Sequence, residues 1–360
     1  MKVLSVVGAR PQFVKAFPVS RALSGDHEEV LVHTGQHYDE QLSGVFFDQL
    51  DVPTPAYNLG VGSGTHADQT AGVLSRLAPV LADEDPDTVL LYGDTNSTLG
   101  GALAGAKADV LVAHVEAGLR SGDRRMPEEV NRVLTDHSSD LLFAPTETAV
   151  ENLRREGLAE RTSHTGDVMY DALRWAAEVA REETALRSDL GVDSDEFVLA
   201  TVHRQRNTDD SDRLASIVDG LASVASPVVF PAHPRTIERL ERFGLRERAE
   251  SALRLVEPVG YLEFVALLDA ARAVATDSGG VQKEAFFLDT PCVTMREETE
   301  WVETVTSGWN TLVGADADAV AAAIDGASLP DEKPQPYGDG EAATRVVEAL
   351  ERAYTGRQNV

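Results

Sequence analysis

Short apolar segments alternate with longer amphipathic stretches along the whole chain. Val- and Leu-rich runs of about four to six residues, separated by helical patterns, indicate buried parallel strands joined by crossover helices. The segments are KVLSVVG (2–8), EVLVHTG (29–35), TVLLYGD (88–94), VLVAHVE (110–116), LLFAPT (141–146), FVLATVH (197–203), PVVFPAH (227–233) and RAVATDSGG (272–280). We therefore predict an α/β fold.

The chain length predicts two domains. A chain of 360 residues is too long for one typical core, so we predict two Rossmann-like domains, each built on a parallel sheet. A long polar helix followed by an acidic turn is predicted over 170–196, which places the boundary near 168–192. A linker rich in proline and glycine at 330–340 precedes a last helix that could fold back onto the first domain. The predicted divisions are 1–170, 171–335 and 336–360.

The composition excludes several classes of protein. The hydrophobic content of 42% supports packed cores and excludes a disordered chain. The formal net charge of −28 disfavours binding to nucleic acid or to an anionic membrane surface. No apolar run is long enough to span a bilayer, and Met1 and Lys2 lead straight into a strand, so we predict no membrane span and no signal peptide.

Cysteine and lysine usage point to the compartment. The single cysteine, Cys292, excludes an internal disulfide framework and favours the reducing cytoplasm. Only five of the 32 basic residues are lysines. An acidic surface with scarce lysine indicates a halophilic protein, because concentrated salt screens the self-repulsion. The alternative is an ordinary acidic cytoplasmic protein.

Polar residues collect where the predicted strands end. Functional residues of parallel sheets lie beyond the carboxyl ends of the strands, and random surface charge would not collect there. These positions hold Gly8, Arg10, Lys15, His33, Gln36, His37, Asp94, His114, Glu116, His203, Arg204, Arg206, His233, Asp277, Ser278, Gly279 and Gly280.

The segment TDSGGVQKEAFF (276–287) predicts a strand, two glycines and a helix. A helix N-terminus attracts anions, and the glycines allow close backbone approach. Glu284, one and a half turns in, could accept hydrogen bonds from ribose hydroxyls. The alternative is a tight turn that needs glycine. No G-x-G-x-x-G follows a strand and no Walker motif is present, so we predict no cofactor.

Charged groups in the first half fit anion binding and proton transfer. Arg10 and Lys15 favour a negative ligand, with a helix-capping or interdomain ion pair as the alternative. Asp94 and Glu116 end apolar strands, where partial burial suits a carboxylate to proton transfer.

Two further carboxylates, Glu128 and Glu129, follow Pro127 in a predicted first helical turn. Stabilisation of the helix dipole is sufficient to explain at least one of them. The scattered histidines lack metal-ligand spacing, so we predict no required metal. His203 beside Arg204 fits contact with a phosphate or leaving group better.

Taken in order, several motifs make the chain similar to the non-hydrolysing UDP-N-acetylglucosamine 2-epimerases over nearly its whole length. The motifs are GARPQFVKAFPVSRAL, HTGQHYDEQL, YGDTNSTLGGALA, HVEAGLRS with MPEEVNR, TGDVMYDAL, TVHRQRN, PAHP and TDSGGVQKEA with PCVTMREETEWVE. The resemblance implies two Rossmann-like domains whose parallel sheets face each other across a cleft, as in GT-B glycosyltransferases. It also implies a homodimer, a UDP-sugar substrate, no cofactor and no essential metal.

The resemblance also assigns roles to residues. It implies acid/base roles for Asp94, Glu116 and Glu128, with His203 as a further catalytic group. It implies UDP-sugar contacts for Arg10, Lys15, Arg204, His233, Ser278, Gly279, Gly280 and Glu284. Arg120 and Arg132 are expected to hold Glu116 and Glu128 in place.

The sequence departs from the family pattern at several positions. Gln12 and Arg206 replace glutamates, and Trp301-Val302 replaces Arg-Pro. GARPQF, RRMPEE and ETEWVE are more similar to the branch that acts on UDP-2,3-diacetamido-2,3-dideoxyglucuronate, whose C6 carboxylate Arg206 or Arg125 could contact. Asp39 stands where members activated by their own substrate carry glutamine, so the resemblance does not extend to that activation.

We therefore expect reversible C2 epimerisation of UDP-N-acetylglucosamine to UDP-N-acetylmannosamine, by elimination of UDP to a 2-acetamidoglucal and re-addition. The diacetamido-glucuronate derivative is the alternative substrate. A UDP-sugar glycosyltransferase of the same architecture is the rival from another class, but it needs one base and does not explain three carboxylates. A hydrolysing epimerase and a non-enzymatic sensor are further rivals.

Overall fold

The computed structural model describes residues 1–35, 54–183, 192 and 196–358, with the side chains of residues 10, 182 and 183 left out. The chain divides into two compact units. Unit 1 comprises 1–172 and 335–360, and unit 2 comprises 173–334. The chain passes from unit 1 to unit 2 at 172/173, inside a helix, and returns at 334/335, in an irregular segment.

Unit 1 is built on a seven-stranded parallel sheet. Its strands are β1 (Lys2–Val7), β2 (Glu28–His33), β3 (Tyr57–Asn58), β4 (Thr88–Tyr92), β5 (Leu111–Val115), β6 (Leu141–Ala144) and β7 (Thr162–His164). The strand order is β3-β2-β1-β4-β5-β6-β7. The strand order reverses its direction between β1 and β4. The carboxyl ends of these two strands and of β5 therefore lie side by side, where ligands of such sheets bind.

Helices cover the sheet of unit 1. They are α1 (Arg10–Leu23), α2 (His66–Glu84), α3 (Asn96–Lys107), α4 (Pro127–Ser138), α5 (Glu147–Arg155), the first part of α6 (Val168–Glu183) and the last helix, labelled α15 (Ala342–Gln358). A 3-10 turn spans Ala159–Arg161. The last helix packs against α1, and Asp171 accepts hydrogen bonds from the N–H groups of Ala342 and Ala343 at its start.

Unit 2 is built on a six-stranded parallel sheet of order β10-β9-β8-β11-β12-β13. Its strands are β8 (Val198–Thr201), β9 (Val228–Pro231), β10 (Arg254–Val256), β11 (Ala273–Thr276), β12 (Cys292–Thr294) and β13 (Asn310–Leu312). Its further helices are α7 (Gln205–Thr208), α8 (Ser211–Ala222), α9 (Pro234–Arg242), α10 (Arg246–Ala252), α11 (Tyr261–Ala270), α12 (Gly279–Phe287), α13 (Val302–Thr306) and α14 (Ala317–Asp325).

Glycines let α3 lie close to its neighbours. A Cβ on Gly100 would come within 2.7 Å of Val73 on α2, and one on Gly101 within 2.6 Å of Leu91 on β4. Both distances are too short for real side chains, so only glycine allows the close packing. The close approach packs α3, which follows the turn that carries Asp94, directly against α2 and β4.

The predicted fold class is confirmed: both units are α/β with parallel sheets, and each of the eight predicted segments contains a strand. The additional strands β3, β7, β10, β12 and β13 are two or three residues long and were not predicted. No helix among the described residues is long and apolar enough to cross a membrane.

Candidate active site

Lys15 and Glu116 form an ion pair at the carboxyl ends of the unit 1 strands. Lys15 extends from α1, and Glu116 directly follows β5. The side chains are 16% and 15% exposed, so water screens the pair only partly. Burial lowers the pKa of Lys15, but the charge of Glu116 and the hydrogen bond to it outweigh burial and raise this pKa above its ordinary value. Lys15 is therefore a fixed positive charge beside the Glu116 carboxylate.

The backbone at Glu116 is strained. Its φ is 73°, in the left-handed region that residues other than glycine rarely adopt. Such strain costs on the order of 1–3 kcal/mol, and functional sites are where it collects. The turn aims the Glu116 side chain at Gly93 on the neighbouring strand end, since a Cβ added at Gly93 would lie 3.3 Å from Lys15 Nζ and 3.7 Å from Glu116 Oε2.

Asp94, the next residue after Gly93, is paired with Arg132 of α4. Asn131 donates from Nδ2 to the backbone oxygen of Asp94 and to Oδ1 of Asn96, 3.0 Å each. One helix therefore holds both the side chain and the main chain of Asp94. Two carboxylates on adjacent strand ends, each beside one cation, form the charged centre of unit 1.

The adjacent residues Glu128 and Glu129 differ in environment. Glu129 is 3% exposed and accepts hydrogen bonds from the N–H groups of Ser121 (2.9 Å) and Gly122 (3.0 Å). Burial raises the pKa of Glu129, but these hydrogen bonds and the charge of Arg132 hold this pKa below its ordinary value. Glu128 is exposed in the first helical turn. Glu129 fixes the loop before α4, and Glu128 keeps an accessible carboxylate.

The expected roles of the two arginines need correction. Arg120 contacts neither Glu116 nor Glu128; it pairs with Asp136 (2.7 Å) and Glu156 (2.8 Å). Arg132 pairs with Asp94 and with Glu129 at 3.3 Å rather than with Glu128. Helical spacing in the sequence was a signal for part of the observed pairing, because Glu129, Arg132 and Asp136 lie on one face of α4.

Gln12, a departure from the family pattern, is buried and forms hydrogen bonds with two neighbouring segments of unit 1. Its Oε1 accepts from the N–H groups of Gly8 (2.8 Å) and Ala9 (3.0 Å). Its Nε2 donates to the backbone oxygen of Tyr92 (2.7 Å) and to Thr98 Oγ1. The contacts use both the accepting and the donating half of an amide, which an ionised glutamate could not provide. Gln12 thereby ties the β1–α1 turn to the end of β4.

In unit 2, the helix α12 begins with an open N-terminus. It starts at Gly279 after Ser278, which makes no side-chain capping hydrogen bond. Among the described residues, no group accepts a hydrogen bond from the backbone N–H of Gly279 or Gly280. The Glu300 carboxylate lies beside Gly279, where a Cβ would come within 2.2 Å of its Oε1 unless the Glu300 side chain moved. An open helix N-terminus of this kind can bind an anion.

Asp277, fully buried before that helix, holds the other half of the unit 2 site. It accepts hydrogen bonds from the N–H groups of His203 (3.1 Å) and Arg204 (3.0 Å) and from Asn207 Nδ2 (3.1 Å). The Nδ1 of His203 lies 3.3 Å from Asp277 Oδ1, and the imidazole is 48% exposed. Asp277 therefore fixes the loop after β8 and leaves His203 accessible.

A cavity of about 180 Å³ beside this loop is lined by four arginines, two glutamates and two other residues. Arg206 contacts Glu297 at 3.4 Å, and Arg213 contacts the same carboxylate at 2.7 Å. The other lining residues are Arg204, Asn207, Met295, Arg296 and Glu298. The guanidinium groups make this part of an acidic chain attractive to an anion.

The remaining predicted residues have varied positions. His233 is exposed and caps α9, since its Nδ1 accepts from the N–H of Arg235 at 3.2 Å. His33 is buried, and burial lowers its pKa. Glu284 is half-buried in α12, and Arg10 begins α1 with its side chain outside the described part. Gln36, His37 and Asp39 also lie outside the described residues.

The fold and the side chains at the strand ends together indicate a class of enzyme. Two α/β units, each built on a parallel sheet, are typical of enzymes that act on nucleotide-linked substrates when one unit has paired carboxylates and the other an open helix N-terminus. The family model for UDP-N-acetylglucosamine 2-epimerase matches residues 21–351. The chain belongs to the UDP-N-acetylglucosamine 2-epimerase family and is an epimerase.

Individual relatives match over their whole length. A UDP-N-acetylglucosamine 2-epimerase homolog of Methanococcus maripaludis and the UDP-2,3-diacetamido-2,3-dideoxy-D-glucuronate 2-epimerase of Pseudomonas aeruginosa are each 48% identical, with 97% of this chain and 99% of theirs covered. Two solved structures of the Methanocaldococcus jannaschii UDP-GlcNAc 2-epimerase match with TM-scores of 0.89 and 0.77, at 41% and 42% identity. They cover 98% of this chain and 100% of theirs, and the second is a complex with UDP-GlcNAc and UDP.

Proposed function

We propose that the protein interconverts UDP-N-acetylglucosamine and UDP-N-acetylmannosamine by inverting carbon C2 of the sugar. The observation that carries this proposal is the placement of Asp94 and Glu116 on adjacent strand ends, each beside a half-buried cation, in a chain of this family. Inversion needs proton-handling groups for the two faces of the sugar ring, and unit 1 offers more than one carboxylate for that work.

The chemistry proceeds by elimination and re-addition. A carboxylate removes the C2 proton, the C–H electrons form a C1=C2 double bond, and the C1–O bond breaks to release UDP. The products are 2-acetamidoglucal and UDP. A proton then adds to C2 from the opposite face while a phosphate oxygen of UDP re-forms the C1–O bond. Elimination and re-addition are together redox-neutral, so no oxidant or cofactor is consumed. Departure of UDP drives loss of the poorly acidic C2 proton.

Each unit has a distinct role in the proposal. In unit 1, Asp94, Glu116 and Glu128 handle protons, and Arg10 and Lys15 offset the negative charge of the substrate. In unit 2, the open N-terminus of α12 stabilises the leaving diphosphate as its charge develops. The further groups proposed to contact UDP in unit 2 are His203, Arg204, His233, Ser278, Gly279, Gly280 and Glu284.

A specific observation favours a second candidate substrate. The relative from Pseudomonas aeruginosa that acts on a diacetamido-glucuronate is 48% identical, against 42% for the jannaschii enzyme found with UDP-GlcNAc. Arg206, which lines the arginine-rich cavity, could bind the extra carboxylate of such a sugar. The alternative substrate is therefore UDP-2,3-diacetamido-2,3-dideoxyglucuronate.

Assembly and location extend the proposal. We propose a cytoplasmic homodimer that works in concentrated salt. The family resemblance supports the homodimer, the single buried Cys292 supports a reducing compartment, and the net charge of −28 supports high salt.

Product analysis tests the function. The protein is incubated with UDP-N-acetylglucosamine, and the mixture is resolved by chromatography and NMR. The proposal predicts UDP-N-acetylmannosamine at equilibrium with the starting compound. Free N-acetylmannosamine with UDP would mean a hydrolysing enzyme, a glycoside formed with an added acceptor would mean a transferase, and unchanged substrate would contradict an epimerase acting on it.

The substrate branch is tested by rates on both UDP-sugars. If Arg206 binds a carboxylate, Arg206→Gln should lower turnover of the diacetamido-glucuronate about tenfold or more, the scale of losing one charged hydrogen bond, and leave turnover of UDP-N-acetylglucosamine nearly unchanged. The matched control is Arg155→Gln, an exposed arginine of α5 paired with Glu151. Equal losses on both substrates would show that Arg206 serves the fold or the shared nucleotide.

A further inference from the structure

Trp301, which stands in place of the family's usual arginine, packs against the first turn of α12. Its indole Nε1 donates a hydrogen bond of 2.7 Å to the backbone oxygen of Gly279, the first residue of that helix. The ammonium of Lys283, one helical turn further along α12, lies 4.6 Å from the centroid of the indole ring. Because a cation is attracted to the face of an aromatic ring, the indole is held both at its N–H edge and at its face.

The loop 296–301 is fixed to α12 at a second point. Thr299 Oγ1 donates to Oε1 of Gln282 at 2.6 Å and accepts from the backbone N–H of Trp301 at 3.2 Å. Gln282 lies in α12 and has no exposed surface. The main chain of the loop is therefore held against the helix on both sides of Glu300.

Glu300, between these two contacts, brings a carboxylate to the open N-terminus of α12. The carboxylate lies beside Gly279, yet among the described residues no hydrogen bond joins it to the N–H of Gly279 or Gly280. Its partners are Arg296 at 2.9 Å and Arg204 at 3.8 Å. Burial raises the pKa of Glu300, but the hydrogen bond and charge of Arg296, with the charge of Arg204, hold this pKa below its ordinary value. Glu300 is therefore a carboxylate that lies close to the helix end without capping it.

The Glu300 carboxylate and a diphosphate would compete for the same end of α12, because an uncapped helix N-terminus attracts any nearby anion, whether a side chain or a ligand. Glu300 is 46% exposed, so its carboxylate has room to move from beside Gly279 onto the open N–H groups. The bond from Trp301 to Gly279 fixes the main chain from which the Glu300 side chain extends. Without that bond, the carboxylate would be free to cap the helix.

We propose that Trp301 is a positioning residue for the diphosphate of the UDP-sugar, because its bond to Gly279 keeps the Glu300 carboxylate off the N–H groups that receive this diphosphate. The role rests on the proposed function, in which the N-terminus of α12 stabilises the leaving UDP. Trp301 acts through Gly279 and Glu300 and needs no contact with the substrate. An effect is therefore expected on binding of the phosphates and none on binding of the nucleoside alone.

Isothermal titration with UDP and with uridine tests the role. Trp301→Phe keeps an aromatic face for Lys283 and removes the N–H donor. We expect its Kd for UDP to rise about three- to tenfold, the scale of one neutral hydrogen bond, and its Kd for uridine to stay unchanged. Trp309→Phe is the matched control and should keep both Kd values, since Nε1 of this buried indole has no hydrogen-bond partner among the described residues. An unchanged Kd for UDP in folded Trp301→Phe, or equal losses for UDP and uridine, would contradict the role.

A double variant tests the part played by Glu300. Adding Glu300→Gln to Trp301→Phe removes the competing charge, so the Kd for UDP should return close to the wild-type value. A double variant that binds UDP as weakly as Trp301→Phe would show that Glu300 does not move onto the helix end, and would overturn the proposal.

The wild-type protein gives a measurement that does not depend on the folding of Trp301→Phe. Labelling with 15N-tryptophan gives three indole N–H signals, and Trp175→Phe and Trp309→Phe assign two of them. We expect the remaining signal, from Trp301, to shift on addition of UDP and to stay in place on addition of uridine. No shift with saturating UDP would overturn the proposal. A protein that binds UDP with this shift but forms no UDP-N-acetylmannosamine would instead refute only the proposed function.

Discussion

Single residues of the same type have different roles here according to what surrounds them. Glu128 and Glu129 are adjacent carboxylates in one helical turn, yet Glu129 is buried and bonded to the backbone of the preceding loop, while Glu128 is exposed. From the sequence, stabilisation of the helix dipole was sufficient to explain at least one of the two, and the first helical turn gave no basis for choosing. The choice depends on the loop 121–122 folding back over α4.

This adjacent pair gives a matched test. Glu129→Gln should lower the melting temperature by several degrees, since losing charge-assisted hydrogen bonds from a buried carboxylate costs about 1–3 kcal/mol. Glu128→Gln should leave the melting temperature nearly unchanged and reduce epimerase turnover about a hundredfold, the scale of losing a general acid or base. Thermal unfolding and steady-state rates on both variants check this. Reversed effects would exchange the two roles.

Residue positions at strand ends were predictable, whereas their partners were not. Lys15, Asp94, Glu116 and His203 follow apolar runs, so their location beyond the strands follows from local pattern. The pairing of Lys15 with Glu116 joins residues 101 positions apart, and that of Asp94 with Arg132 joins a strand end to a later helix. Such pairs depend on strand order and helix placement, which no local pattern contains.

At the scale of elements, strands were predictable where apolar runs are long. The eight predicted strands form the sheet centres, where both faces are covered and valine-rich runs result. The strands missed by the sequence, such as Tyr57–Asn58 and Arg254–Val256, have only two or three residues. A segment that short cannot show a periodicity, and it becomes a strand only because a neighbour offers backbone hydrogen bonds.

The first N–H groups of the last helix, α15, donate hydrogen bonds to a carboxyl group of another helix. Asp171 of α6 accepts from the N–H groups of Ala342 (3.2 Å) and Ala343 (2.8 Å). Burial raises the pKa of Asp171 to about 6, although these hydrogen bonds lower it in part. The folded state therefore holds a proton on Asp171 that the unfolded chain releases near pH 4.

The sign of the resulting pH dependence follows from linkage. Because the folded pKa is raised, the contribution of Asp171 to stability is complete below about pH 4 and is lost as pH rises through about 6. Asp171→Asn cannot titrate, so its free energy of unfolding relative to wild type should rise between about pH 4 and about pH 7, by at most roughly 3 kcal/mol. Urea unfolding of both proteins at several pH values measures this difference. A difference that does not change with pH would contradict the assignment.

At the scale of the whole molecule, net charge is the dominant property. A charge of −28 on 360 residues means strong self-repulsion in dilute buffer. The repulsion is long-ranged, so dissolved salt weakens it far more than it weakens the close, half-buried ion pairs of the site.

Salt should therefore stabilise the protein. We expect the melting temperature to rise by several degrees or more from about 10 mM to about 2 M KCl, as screening removes the repulsion. A parallel series in sucrose, which favours the compact state without screening charge, separates the two effects. Equal melting temperatures at both ends of the KCl series would contradict adaptation to high salt.

In the proposed mechanism, the proton on C2 is removed by one protein group and replaced from solvent on the other face. Epimerisation of UDP-N-acetylglucosamine in D2O, followed by NMR and mass spectrometry of the product, tests it most directly. Asp94→Asn and Glu116→Gln serve as comparisons, and each should slow the exchange about a hundredfold or more while UDP binding survives. We expect UDP-N-acetylmannosamine with deuterium at C2. A C2-inverted product that carries only hydrogen at C2 would contradict it.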